Sequence, residues 1–392
     1  MRKCICRVCG TIVLEFLDLG FHPIANRFLK PTDSFADEYF YHLIVCFCPN
    51  CELVQLANVP ESNRIFNDDY PFFTSSSNYM KKHFEKLADY IKTALRYDFI
   101  VEIGSNDGTF LEHFKNQRHL GIEPSGSVLK ESIDKGINTL NQFFTETVAD
   151  IIINEPNCGR ADVIVSTNVF PHVPERGSFL RGIKKLLSKD GVWINEEVYL
   201  GDIIGNLSYD QFYNEHVFYA SLSSYTKLFD TFDLKIVDYE FINAHGGSVR
   251  FYIKHKHAQV SSICGLTRTD NFTFDVLKEF GRKIKNSKWK LVTTLRELQN
   301  KKEEVVGYGA TAKSSTILNY CGIDKSLISK IYDTTPLKQN TLSPGMHIPI
   351  VSYDTFHKDN PKNVVLFAWN HAKEIYEKES YKNKDINWII PI

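Results

Sequence analysis

Two Cys-x-x-Cys pairs constrain the N-terminal part of this 392-residue chain more than any other feature. Cys6 pairs with Cys9 and Cys48 pairs with Cys51, with residues 10–47 between the two turns. One tight turn of this spacing presents two thiolates, and two such turns supply the four sulfur ligands that a tetrahedral zinc ion requires. We therefore predict a structural zinc site with these four cysteines as its ligands.

Two further cysteines, Cys4 and Cys46, leave the choice of ligands open. We prefer the residues of the two Cys-x-x-Cys turns and keep the outer pair as the alternative. A patch of free thiols is a third interpretation, because a free cysteine often behaves as a small apolar residue. Six of the nine cysteines lie in residues 1–51, which favours metal binding in a reducing cytoplasm over disulfides.

Charge and hydropathy exclude several classes of partner. The formal net charge is −1, so there is no global electrostatic attraction to nucleic acid or to an anionic membrane. No run approaches the ~18 uninterrupted apolar residues of a membrane span, and residues 1–4 begin no apolar signal region. We expect a cytoplasmic monomer that binds neither nucleic acid nor membrane.

The rest of the chain alternates strands with helices. Residues 78–95 carry apolar side chains at steps of three and four, which is typical of an amphipathic helix. A second, basic helical segment covers residues 275–302. Short apolar runs typical of buried strands occupy residues 99–103, 120–123, 162–166, 191–195, 304–308, 328–333 and 363–368. This order predicts an α/β fold with parallel, doubly wound sheets.

The turn after the first of these strands is the strongest chemical motif. Its glycines would let a ligand approach the backbone, and a helix start favours electron-rich groups. The next strand ends in an acidic residue that can accept hydrogen bonds from both hydroxyls of a ribose. The spacing is G-x-x-x-G, whereas a dinucleotide site requires G-x-G-x-x-G, so S-adenosylmethionine is favoured as the cofactor. The residues predicted to bind it are Glu102, Gly104, Ser105, Asn106, Asp107, Gly108 and Glu123.

In their order along the chain, these motifs resemble those of the nucleotide-sugar C-methyltransferases of deoxysugar biosynthesis. The resemblance spans nearly the whole chain. It rests on the two cysteine turns, Leu53 to Leu56, Tyr70 to Ser77, Glu102 to Gly108, Asn168 to Pro174, Tyr213 to His216, His245 to Arg250, Gly307 to Lys313 and Pro344 to Pro349.

The resemblance implies a fold of three parts. A zinc-binding module would occupy residues 1–72, a central Rossmann-like methyltransferase domain residues 73–270, and a smaller C-terminal Rossmann-like α/β domain residues 271–392. It also implies structural Zn²⁺, S-adenosylmethionine and a nucleotide-linked keto-deoxysugar as substrate. Asn168 is expected to contact both the cofactor and the substrate.

The implied chemistry explains which side chains are needed. Methylation of a sugar carbon next to a ketone requires a base that removes the proton and forms an enolate, and histidine titrates in the right range. By resemblance, His216 is the base, and Glu215 and Tyr213 orient it or the substrate. His172 would stabilise the enolate charge or bind sugar hydroxyls.

Two cations are candidates for the diphosphate of the substrate. Arg250 follows a Gly-Gly-Ser segment, and Lys313 follows the second glycine turn at the start of a helix. For Arg250 an ordinary ion pair is the alternative interpretation.

The chain departs from the family pattern at two positions. Asn214 stands where the family usually has histidine, and Phe72 replaces the second tyrosine of a Tyr-x-Tyr segment, which leaves Tyr70 as a further catalytic candidate. These departures keep two alternatives open: an O- or N-methyltransferase of sugars with the same fold, and a non-catalytic binding module. A third alternative, an NAD-dependent oxidoreductase, is disfavoured by the glycine spacing.

Overall fold

A computed structural model describes residues 4–61, 64–65, 73–259, 270, 272–380 and 385–392. Within these residues, three sheets account for all the strands. None of the described helices is both long enough and apolar enough to cross a membrane.

The first sheet is antiparallel and has the order β1-β2-β3-β9. Its strands are β1 (Leu14–Pro23), β2 (Phe40–Phe47), β3 (Val54–Leu56) and β9 (Phe218–Tyr219). The first three strands belong to the predicted zinc module, but β9 comes from the central part of the chain. The module is therefore joined to the middle domain by main-chain hydrogen bonds.

The second sheet has the order β10-β11-β8-β7-β4-β5-β6. Its strands are β4 (Phe99–Ile103), β5 (Arg118–Ile122), β6 (Thr139–Leu140), β7 (Ala161–Thr167), β8 (Leu187–Val198), β10 (Leu234–Ile242) and β11 (Ser248–His255). The expected parallel order holds from β8 to β6, but β11 and β10 continue the sheet in antiparallel orientation. The short turn at residues 243–247 links β10 to β11 as a hairpin, and a hairpin can pair only in this way.

The helices of the central part cover both faces of this sheet. They are α1 (Asn78–Ala94), α2 (Gly126–Asp134), α3 (Glu146–Asn154), α4 (Arg176–Leu186), α5 (Leu200–Gly205) and α6 (Leu222–Asp230). The side chain of Ser77 accepts a hydrogen bond from the Met80 amide and caps α1. The glycine turn after β4 leads not into the expected helix but into a 3₁₀ turn at Leu111–Phe114, because β5 already starts at residue 118.

The third sheet is parallel and has the order β14-β13-β12-β15-β16. Its strands are β12 (Val305–Tyr308), β13 (Ile331–Asp333), β14 (Ile350–Ser352), β15 (Asn363–Leu366) and β16 (Asn387–Ile389). The helices of this part are α7 (Phe274–Asn300), α8 (Ala312–Cys321), α9 (Phe356–Asp359) and α10 (Ala372–Ser380). The predicted α/β architecture of three parts is thus observed.

One apolar core connects all three parts. It contains Leu43 of β2, Leu200 of α5, Phe280 of α7 and Ile317 of α8, all buried. Because these side chains come from all three predicted parts, none of the parts packs as an isolated body.

Candidate active site

The four predicted metal ligands converge at the tip of the first sheet. The sulfur atoms of Cys6 and Cys51 are 3.6 Å apart, those of Cys9 and Cys48 are 3.4 Å apart, and all four lie within 4.8 Å of one another. With Zn–S bonds of ~2.3 Å, tetrahedral zinc requires sulfur atoms about 3.8 Å apart, so the cluster fits this ion.

Backbone amides support the same assignment. The Val8 amide donates to Cys6 Sγ and the Cys51 amide donates to Cys48 Sγ, both at 3.5 Å. Such donors stabilise the thiolate form that a metal requires. The outer cysteines are not part of this cluster among the described residues, and the Cys4 thiol points to the Ala57 carbonyl instead.

The predicted cofactor turn lies at the carboxyl end of β4 and forms one end of a cavity of about 590 Å³. Gly104 has φ +70°, and a Cβ on it would lie 2.3 Å from Val169 Cγ2. Glu123, at the end of β5, accepts hydrogen bonds from the amides of Asn106 at 2.9 Å and Ser125 at 2.8 Å. These bonds fix the Glu123 carboxylate against the turn and leave it free to accept further hydrogen bonds.

Three buried oxygen atoms at this end of the cavity have no hydrogen-bond partner among the described residues. They are Glu102 Oε2, Ser105 Oγ and Asn168 Oδ1, and all three residues line the cavity. Burial raises the pKa of Glu102, and the nearby Asp107 and Glu123 carboxylates raise it further. Because buried polar atoms are normally satisfied, this arrangement fits a ligand with amino and hydroxyl groups, such as S-adenosylmethionine.

Apolar side chains complete the same end of the cavity. The rings of Phe84, Phe110, Phe143 and Phe144 are part of its lining. The adenine ring of the cofactor needs such a surface, and its ribose needs the acidic residue beside it. The residues present therefore fit the cofactor predicted from the sequence.

Two residues of the predicted turn lie behind the cavity and are not part of its lining within the described chain. Asp107 accepts a hydrogen bond from the Ser75 amide at 3.0 Å and one from the Thr109 hydroxyl at 2.6 Å. Gly108 has φ +75°, and a Cβ there would lie 2.8 Å from Ser132 Oγ. Both residues shape the turn, and their predicted contact with the cofactor stays a prediction.

The opposite wall of the cavity carries the predicted base. The Tyr213 hydroxyl lies 3.0 Å from His216 Nε2, and the His172 ring stacks on the His216 ring with 5.2 Å between centroids. Burial lowers the pKa of His216 well below its usual value, and positive charge on His172, His245 and Lys313 would lower it further. Burial also lowers the pKa of His172 to about 3.

These shifts define the protonation of the site near neutral pH. Both histidines are neutral imidazoles there, and burial keeps the pKa of Tyr213 well above 10, so its hydroxyl is protonated. Tyr213 and His216 Nε2 therefore share a hydrogen bond between two neutral groups, and the tautomer of the imidazole sets which of them donates. A neutral imidazole held by a phenol is able to act as a general base.

Glu215 lines the cavity next to His216 and meets a residue of the zinc module. Its Oε1 atom accepts a hydrogen bond of 2.6 Å from Asn26 Nδ2. The preceding Asn214, which departs from the family pattern, is fully buried, and its Oδ1 accepts from the Ala25 amide at 2.8 Å.

The two predicted phosphate cations have different surroundings. Lys313 lines the cavity, donates to the His245 carbonyl at 2.8 Å, and has its pKa lowered to about 8 by burial. Arg250 is not among the described residues that line the cavity. Its guanidinium is paired with the carboxylates of Glu196 and Glu240, so its predicted role in substrate binding gains no support here.

Several lining residues were not singled out from the sequence, and Tyr70 lies outside the described residues. Asn26, Gln211, His245, Lys338, Asn370 and His371 are among the missed polar residues. Of these six, His245 alone belongs to a segment on which the family resemblance rests. The others come from distant parts of the chain and form no local pattern.

Comparison with known proteins agrees with this geometry. Residues 6–66 match the family model described as "Putative zinc binding domain", residues 76–239 the "Methyltransferase domain", and residues 243–392 the "C-methyltransferase C-terminal domain". Together with the cavity, these matches define an S-adenosylmethionine-dependent methyltransferase with a structural zinc site.

One curated relative extends over almost the full length. The C-methyltransferase NovU of Streptomyces niveus is 30% identical over 402 residues, which cover 99% of this chain and 95% of the relative. The chain therefore belongs to this family of C-methyltransferases.

Solved structures resemble less than half of the chain, and more distantly. A methyltransferase from Clostridium acetobutylicum aligns with TM-score 0.36 and 13% identity over 46% of this chain and 93% of its own. Magnesium protoporphyrin IX methyltransferase from Synechocystis aligns with TM-score 0.33 and 10% identity over 44% of this chain and 82% of its own. Neither likeness bears on the substrate.

Proposed function

We propose that the protein transfers a methyl group to a carbon atom of a nucleotide-linked keto-deoxysugar through an enolate that His216 generates. The observation that carries this proposal is the neutral, buried His216 with its Tyr213 partner in the same cavity as the cofactor turn. The similarity to a relative named as a C-methyltransferase supports transfer to carbon.

The proposed reaction begins with proton transfer to His216. The C–H bond next to the ketone breaks, its electron pair becomes part of an enolate, and the proton moves to the imidazole. His172, stacked on His216, would face the developing oxyanion, because an enolate needs a nearby donor or cation.

Bound S-adenosylmethionine supplies an electrophilic methyl group on a positively charged sulfur. In the cavity this methyl group would pass to the enolate carbon, and the electron pair of the methyl–sulfur bond would stay on sulfur. Glu102 and Glu123 would hold the cofactor at the far wall, and the apolar lining would exclude water.

Two lysines of the C-terminal domain support a nucleotide diphosphate as the handle of the substrate. Lys313 and Lys338 both line the cavity, and burial lowers the pKa of each. An anionic diphosphate would stabilise both charges and place the sugar towards His216.

Isotope exchange tests the chemistry directly. In deuterated buffer without cofactor, the wild-type protein should exchange the proton next to the ketone of a keto-sugar nucleotide, as followed by NMR or mass spectrometry. His216→Ala should reduce this exchange by ~10²–10⁴-fold, while calorimetry shows unchanged affinity for S-adenosylmethionine.

The control is His119→Ala, because His119 lies outside the described lining of the cavity. Methylation without prior exchange would contradict the enolate and favour transfer to a sugar hydroxyl or amine. Equal loss of exchange and cofactor binding in His216→Ala would mean that His216 is structural.

A further inference from the structure

The zinc module contributes a side chain to the active site. Asn26 follows β1 in the module, lines the cavity and donates a hydrogen bond of 2.6 Å to Glu215 Oε1. The adjacent Ala25 amide donates to Asn214 at 2.8 Å. Two consecutive residues of the module thus hold the two residues that precede His216.

The module also holds the residues that follow His216. The Leu56 amide donates to the Val217 carbonyl at 2.9 Å. Strand β3 then pairs with β9, with Gln55 opposite Phe218. The predicted base therefore lies between two attachments to the module, one through side chains and one through a strand pair.

Gln55 continues this connection to the metal site. Its side chain is fully buried, its Oε1 accepts from the Arg7 amide at 2.9 Å, and its Nε2 donates to the Ile5 carbonyl at 3.1 Å. Arg7 lies inside the first Cys-x-x-Cys turn. Binding of zinc would fix this turn and, through Gln55, the strand that supports the His216 segment.

Glu215 lies where the three parts of the molecule meet. It is only 4% exposed. Besides the larger effect of burial, its negative charge acts to raise the pKa of Tyr41 in the module, of Tyr213 in the central part and of Lys338 in the C-terminal part. A buried carboxylate requires hydrogen-bond donors to stay in one orientation, and Asn26 is one such donor.

We propose that Asn26 is a positioning residue of the active site, supplied by the zinc module, that orients the Glu215 carboxylate beside the base. This inference rests on the proposed function, because that function defines the reaction in which the oriented carboxylate would take part. It gives the zinc module a part in the reaction in addition to its part in the stability of the fold.

Two substitutions of Asn26 separate positioning from stability. Asn26→Ala removes the donor, and kcat should fall by ~10–100-fold, because small displacements of groups in a site have effects of this size. Asn26→Asp replaces the donor with a second carboxylate next to Glu215. Repulsion between the two negative charges raises the pKa of one of these carboxyl groups. The acid limb of the kcat profile should therefore move to higher pH.

The matched control is Asn58→Ala. Asn58 lies in the same module, is exposed, and donates to the His42 carbonyl at 2.9 Å, away from the described lining of the cavity. This variant should keep the wild-type kcat and pH profile. Zinc content and melting temperature are measured for all three variants, since a purely structural residue would change these quantities without moving the acid limb.

The proposal would be overturned if zinc-loaded Asn26→Ala and Asn26→Asp both kept the kcat and the pH profile of the wild type. If the wild type turned over none of the keto-sugar nucleotides, the proposed function would fail, and crystal structures would then decide the inference. A rotated Glu215 side chain in Asn26→Ala would support it, and an unchanged one would contradict it.

Discussion

The protonation of His216 depends on the charges around it. Burial is the main reason for its lowered pKa, and the Lys313 ammonium is one of the cations that lower it further. Lys313 keeps its charge below its own pKa of about 8. A base must be deprotonated to act, and the lowered pKa keeps His216 deprotonated below pH 6.5, the usual pKa of histidine. We therefore expect activity to persist below this pH.

Lys313→Met should therefore move the acid limb of the kcat/KM profile to higher pH. Removal of a positive charge favours the protonated imidazole and raises its pKa. The matched control is Lys313→Arg, which keeps the charge and should keep the position of the limb. An unmoved limb in Lys313→Met, or an equal shift in both variants, would show that this charge does not act on His216.

At the residue scale, the sequence predicted the groups that belong to short local patterns. Glu102, Gly104 and Glu123 were predicted from one turn and the strand after it, and all three line the cavity. Asn26 and Lys338 could not be found in this way, because only the folded chain brings their segments to the site. Likewise, the carboxylate partners of Arg250 lie on neighbouring strands, which no spacing along the chain reveals.

At the scale of elements, the two cysteine turns act as one unit with β3. Cys48→Ser removes one of four converging ligands and should abolish zinc binding, since the site and the fold around it depend on each other. We expect zinc content near zero by elemental analysis, a melting temperature several degrees lower, and loss of turnover, because β3 supports the His216 segment.

The matched variant is Cys4→Ser, which changes a cysteine of the outer pair. It should keep one zinc ion per chain and a melting temperature close to that of the wild type, because its thiol contacts the Ala57 carbonyl and not the cluster. Loss of zinc in Cys4→Ser together with its retention in Cys48→Ser would assign the metal to the outer pair.

Some elements were predictable because their own residues determine them. The apolar stripe of residues 78–95 and the basic segment of residues 275–302 predicted α1 and α7 to within two residues at each end. The strand β9 has two residues, and its partner β3 lies in a distant part of the chain. Its pairing depends on the packing of the whole molecule, and no local periodicity could show it.

At the scale of the whole molecule, the cavity is built from all three parts. The module supplies Asn26, the central part supplies the cofactor turn and the base, and the C-terminal part supplies Lys313 and Lys338. The sequence predicted the three parts from the order of their motifs. It could not predict their shared core, because side chains such as Leu43 and Ile317 become neighbours only after folding.

One side chain, Trp369, joins the C-terminal part to the central part beside the cavity, since the neighbouring Ala368 and Asn370 belong to the lining. Trp369 Nε1 donates to the fully buried Asp210 Oδ2 at 2.6 Å, and burial raises the pKa of that carboxyl to about 6. The same indole packs on the turn before β11, where a Cβ on Gly246 would lie 2.6 Å from it. We therefore expect Trp369 to hold the two lysines proposed to bind the diphosphate, Lys313 and Lys338, in place over the central domain.

Trp369→Phe keeps an aromatic ring but removes this donor from Asp210, which should weaken the contact between the C-terminal and central parts by about 1.5–3 kcal/mol. If this contact is needed to bind the sugar nucleotide, the KM for the sugar nucleotide should rise by ~10–100-fold. The affinity for S-adenosylmethionine, measured by calorimetry, should not change, because the cofactor turn belongs to the central domain.

The control is Trp388→Phe in β16, which lies in the C-terminal domain like Trp369. The Trp388 ring packs on Tyr308 and Tyr376. Equal losses of cofactor and sugar-nucleotide affinity in Trp369→Phe, or the same rise in KM in Trp388→Phe, would show that Trp369 only stabilises the domain.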